Sequence, residues 1–128
     1  MVISRSRHER YLTEISNGRE HIYSDVTEEK GGNGNHFRPH DLLEAAYASC
    51  LTITARMILD SLKIPYEGVT VKVELERRDE GTVFHYHIDI AGTLDEKAKQ
   101  IVLKKVMNCP IKKTLSQPLE FLPASGEW

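Results

Sequence analysis

The sequence predicts an α+β fold. Two pairs of short or alternating segments read as antiparallel hairpins, residues 38–64 read as one buried helix, and no βαβ repeat connects them. The expected order is ββ-α-ββ-α-α-β. With 128 residues, 40% of them hydrophobic, a single domain spanning 1–128 can build a core without disulfide staples.

The first hairpin comes from residues 10–16 and 19–26. They flank Asn17-Gly18, a dipeptide that favours two-residue turns because both central positions need positive φ. Residues 28–35, EEKGGNGN, are polar, glycine-rich and aperiodic, so they predict a flexible connection; the lysine and hydroxyl of a phosphate-binding loop are missing.

The central segment is RPHDLLEAAYASCLTITARMILDSLKI. Pro39 suits a first helical turn, Asp41 and Glu44 favour the positive end of the helix dipole, and Pro65 stops the helix near Lys63. Between Leu42 and Met57 the apolar surface runs almost all round the cylinder, which predicts burial on most sides. Glu44, Arg56 and Asp60 interrupt a run expected to be too short for a membrane span.

Val69, Val71, Val73 and Leu75 alternate with polar residues, as do Phe84, Tyr86, Ile88 and Ile90 beyond a turn at Asp79-Glu80-Gly81. That is the second hairpin. Thr93 and Glu96 have capping-box spacing, and Ala98, Ile101, Val102 and Val106 recur at helical spacing, so a helix is expected over 95–107. Pro110 opens a further turn through Leu115, and Leu119, Phe121 and Leu122 predict a short edge strand.

A net charge of −2 gives no electrostatic footprint for nucleic acid or an anionic membrane. The N-terminus shows no apolar signal-peptide region and two cysteines are too few for a disulfide scaffold, so a cytoplasmic protein with functional thiols is expected. A free cysteine such as Cys50 is commonly just a small buried hydrophobe. Cys109 stands immediately before Pro110, at the start of a helical turn whose N–H groups favour a thiolate. If the two thiols face one another, they form a redox pair.

PHDLLEAAYASC followed by NCPIKKTL resembles the OsmC/Ohr family, the osmotically inducible and organic hydroperoxide resistance proteins, whose pattern is N-P-E-[EQ]-L-x-x-A-x-x-[AS]-x-C with a later C-P. The resemblance covers nearly the whole chain. It implies antiparallel sheets wrapped around a long buried central helix, an intertwined homodimer, and reduction of organic hydroperoxides without metal or haem. Cys50 then matches the peroxidatic thiol and Cys109 the resolving one. A thiolate attacks the O–O bond, becomes a sulfenic acid, condenses with the second thiol, and is released by a small dithiol or a dithiol protein.

A thiol in apolar surroundings needs a cation to hold its charge. Gly18-Arg19 resembles the family's hairpin arginine and makes Arg19 the preferred candidate; Arg38, abutting the helix, is the other. The family's glutamate after Pro is His40 here, and Asp41 is one position away, where a helical side chain is turned by about 100°. Arg38, His40, Asp41 and Tyr47 are therefore candidate binding residues, Tyr47 as the wall of an apolar pocket or as simple core. His85, His87 and Asp89 read as the polar face of a strand rather than metal ligands, with His36 and His40 equally unpersuasive. The rival to a peroxidase is an OsmC-like domain that binds a small apolar molecule, or senses redox state, without turnover.

Overall fold

The computed structural model describes residues 1–126. Its contacts divide it into two compact units, Met1–Ala46 with Glu74–His85, and Tyr47–Val73 with the described residues from Tyr86 onward.

In the first unit, three four-residue strands form an antiparallel meander: β1 (Ile3–Ser6), β2 (Thr13–Ser16) and β3 (His21–Ser24). Ile3 pairs with Ser16 and Ser16 with His21. β1 was not expected from the sequence. The β2–β3 turn has four residues rather than two: Asn17 Oδ1 accepts the N–H groups of Arg19 and Glu20 at 3.0 and 2.9 Å, and Gly18 takes a φ of 96°. An Asx turn wins because the asparagine side chain supplies an acceptor that a two-residue turn would leave unused.

The glycine-rich segment is a loop with local structure of its own. A 3₁₀ turn at Glu28–Lys30 leads into a loop gathered around buried Asp25, whose carboxylate accepts Val26 N–H at 2.7 Å and Asn33 N–H at 3.0 Å. The loop closes where Ser24 and Phe37 form a parallel bridge, with Ser24 Oγ donating to the Phe37 carbonyl at 2.8 Å.

α1 (Pro39–Ser61) starts with the Asp41 carboxylate reaching back to accept Arg38 N–H at 2.8 Å, the backward half of a capping box. It ends four residues before Pro65: Lys63 adopts φ 56°, and Ile64 N–H bonds the Leu59 carbonyl at 2.9 Å, a Schellman closure without glycine. The buried residues of α1 are Tyr47, Leu51, Ala55 and Leu59, spaced by four. This is one stripe and not burial on most sides; Ile53 and Met57 are 53% and 66% exposed in the single chain. An 18-residue window of α1 has a mean hydropathy of 1.4, so length and composition alone would permit a membrane span, contrary to the sequence expectation. The buried helix of a soluble fold meets the same two criteria.

β4 (Gly68–Arg78) and β5 (Gly81–Ala91) form the expected second hairpin as a two-stranded sheet. α2 (Glu96–Val106) is capped by Asp95, which accepts Ala98 N–H at 2.7 Å, instead of by Thr93. α3 (Pro110–Ser116) follows. The expected strand around Leu119, Phe121 and Leu122 does not form: these side chains are exposed, and Pro118 and Pro123 remove two of the N–H groups a strand would use. The core of the second unit consists of Leu51, Ala55, Leu59, Val102, Val106 and Cys109, all fully buried, with Tyr47 and Ile90 nearly so.

Candidate active site

Cys50 follows Tyr47 by one turn of α1 and precedes core residue Leu51, so it lies at the margin of the buried stripe. Its side chain is half-buried. Cys109 arrives from the other end of the sequence on the short link between α2 and α3, where Asn108 N–H bonds the Lys105 carbonyl at 3.2 Å and Cys109 N–H the Val106 carbonyl at 3.1 Å. That tight turn leaves Cys109 fully buried as the N-cap of α3.

The two thiols are free and close enough for the Cys50 side chain to act on the Cys109 thiol. Cys109 Sγ also accepts Lys112 N–H at 3.5 Å. Burial pushes the Cys109 thiol above its ordinary range; the N–H groups of Lys112 and Ile111 oppose that rise, and the Cys50 side chain adds to it. The sequence expectation that the helix start would favour a thiolate at Cys109 is thus outweighed by desolvation.

Tyr47 is 5% exposed, and its ring meets Tyr86 edge to face with centroids 6.0 Å apart. Burial raises the Tyr47 phenol's pKa, reinforced by Cys109, Tyr86 and Cys50, so the hydroxyl stays protonated beside the sulfurs. Tyr86 Oη donates to Met107 Sδ at 2.9 Å. Sequence reasoning assigned Tyr86 to a strand face and passed over Met107; only the fold sets this pair against Tyr47.

The remaining candidates belong to the first unit. Arg38 grips Asp41 through Nε at 3.1 Å and Nη2 at 2.8 Å, an exchange that raises the guanidinium pKa and lowers that of the carboxyl. Asp41 thus supplies an arginine–carboxylate pair although His40, exposed, stands at the glutamate position. Arg19 is exposed on the β2–β3 turn. His85 bonds Glu76 Oε2 at 2.7 Å, and among the described residues no three metal-ligating side chains are gathered.

The sequence profile of OsmC-like proteins matches residues 32–121, a span that contains the whole of α1 and both cysteines. The chain belongs to the OsmC-like family. Solved structures bear out its fold. A structure from Psychrobacter arcticus, provisionally named an osmotic stress induced and detoxification response protein, matches with a TM-score of 0.74 at 22% identity, covering 88% of this chain and 85% of that one. The organic hydroperoxide resistance protein OsmC from Legionella pneumophila matches with a TM-score of 0.66 at 22% identity, over 91% and 88% of the two chains. OhrB of Bacillus subtilis, an organic hydroperoxide resistance protein, gives 0.63 at 17% identity, over 91% and 89%. No curated protein matches by sequence. The α+β fold of this OsmC-like chain and its kinship with the OsmC/Ohr proteins are as the motifs implied.

Proposed function

We propose that this OsmC-like chain is a thiol-dependent peroxidase that reduces organic hydroperoxides in the cytoplasm as a homodimer. The observation that carries the reading is a pair of free thiols of unequal burial within electrostatic reach of one another, Cys50 half-buried and Cys109 fully buried. The reachable thiol meets the substrate and the sheltered one waits. Cys50 thiolate attacks the terminal peroxide oxygen, the O–O bond breaks, the alcohol leaves with a proton, and Cys50 becomes a sulfenic acid. Cys109 sulfur then attacks Cys50 sulfur, water leaves, and a disulfide forms; an external dithiol is oxidised as it restores both thiols. Likeness to proteins named for organic hydroperoxide resistance supports the substrate class.

The activating cation in this reading is Arg19, whose guanidinium enters no side-chain bond among the described residues, whereas two nitrogens of Arg38 are already committed to Asp41. Arg19→Ala should raise the apparent pKa of Cys50 alkylation and slow peroxide consumption far more than it lowers stability, with Lys rescuing only in part. A loss in Arg38→Ala and none in Arg19→Ala assigns the role to the Arg38–Asp41 pair. His40 at the glutamate position favours a second reading, an OsmC-like protein that binds a small molecule or senses redox state without turnover. Steady-state consumption of tert-butyl hydroperoxide with dihydrolipoamide, compared with hydrogen peroxide, separates the two. The peroxidase turns over and prefers the organic substrate, with Cys50→Ser inactive and Cys109→Ser limited to a single equivalent; the second reading shows no turnover in any form.

A further inference from the structure

Met107 closes α2 at its C-terminal end, two residues before Cys109. Its thioether is half-buried and accepts the Tyr86 hydroxyl at 2.9 Å. A thioether is a weak acceptor, yet Tyr86, a 45% exposed residue, places its hydroxyl on this sulfur. Through the edge-to-face contact of Tyr86 with Tyr47, this pair adjoins the thiol site. Met1 and Met57 are far more exposed, at 77% and 66%, and among the described residues neither has a proton donor on its sulfur.

We propose that Met107 is an oxidation site, at which a hydroperoxide passes its terminal oxygen to Met107 Sδ while the Tyr86 phenol gives its proton to the departing alkoxide. The sulfur lone pair forms the S–O bond as the O–O bond breaks. Sulfur is oxidised to the sulfoxide and the hydroperoxide is reduced to the alcohol. The proton left on the transferred oxygen returns to the Tyr86 phenolate, so the tyrosine is unchanged. The inference rests on the peroxidase reading for its oxidant only, since Cys50 takes no part in the transfer. The product is a polar sulfoxide two residues from the resolving thiol, a mark of hydroperoxide excess that methionine sulfoxide reductases can erase.

The test uses the full chain with Cys50→Ser, so that the thiol does not consume the oxidant, treated with tert-butyl hydroperoxide beside a methionine-containing reference peptide. Oxygen gain at each methionine is followed by peptide mass spectrometry. Met107 should oxidise at least about tenfold faster than the reference peptide and Met57, and Tyr86→Phe should remove that advantage, as expected for loss of a positioned acid. Met107 oxidising no faster than the reference overturns the proposal without recourse to any Tyr86 variant; so does an unchanged rate in folded Tyr86→Phe. A parent chain that forms no Cys50–Cys109 disulfide yet oxidises Met107 rapidly would defeat the peroxidase reading and support this one.

Discussion

At the residue scale, Asp25 shows what a sequence conceals. It is one acidic residue among many, and nothing local distinguishes it; its importance comes from Asn33, eight positions on, returning to share the carboxylate with Val26. Those two backbone N–H groups hold the Asp25 carboxyl below the usual carboxylate range. A depressed pKa contributes stability that is present above the unfolded value of about 4 and is lost as pH falls through the folded value. Asp25→Asn, which keeps one acceptor oxygen, should lower the urea midpoint at pH 7 and flatten its decline below about pH 4. Urea titration of both proteins across pH 3–7 checks this. Gly32→Ala should be destabilising for a related reason, because a Cβ there would press on the Val26 carbonyl and lie 2.5 Å from Asp25 Oδ1. Cys50, Cys109 and Tyr47, by contrast, stood out in the sequence, since each belongs to a motif whose spacing survives without knowledge of the fold.

At the element scale, apolar periodicity located α1, α2 and the second hairpin, while boundaries and caps followed contacts that periodicity does not encode. The end of α1 is the clearest instance. Pro65 was the visible stop signal, yet Lys63 in the left-handed region is what closes the helix. A non-glycine residue there costs about 1 kcal/mol. Lys63→Gly should therefore stabilise the protein by about that amount, read as a higher urea midpoint with an unchanged m-value. α3 offers a second test, because its N-cap is a thiol. Cys109→Ser keeps a capping acceptor, and Cys109→Ala removes it, so Ala should be the less stable of the two by about 1 kcal/mol. Equal stabilities would show that the sulfur contributes nothing as a cap.

At the scale of the whole molecule, the sequence implied a helix apolar on nearly all sides, and the single chain buries only the Tyr47, Leu51, Ala55, Leu59 stripe. Ile53 and Met57 remain exposed, and Thr54, Met57, Ile58, Ser61, Leu62 and Lys105 line a shallow groove beside them. An exposed apolar face of this kind is what a second copy would cover. Sedimentation of the parent should give a homodimer at micromolar concentration, and Met57→Glu should shift it toward monomer. The raised Cys109 pKa has its own consequence for alkaline conditions. An acid held protonated by the fold contributes stability that is intact below its unfolded pKa, about 8.5, and is lost as pH rises toward the folded value. Thermal unfolding of the parent should therefore decline above about pH 8.5 more steeply than that of Cys109→Ser.

Whether Cys50 and Cys109 form one working redox pair is tested most directly by treating the reduced parent with one equivalent of tert-butyl hydroperoxide and mapping its peptides by mass spectrometry. One intramolecular Cys50–Cys109 disulfide should form, removed by dihydrolipoamide, with a trappable Cys50 sulfenic acid in its place in Cys109→Ser. A parent that remains fully reduced, with no link between the two cysteines, would contradict that pairing.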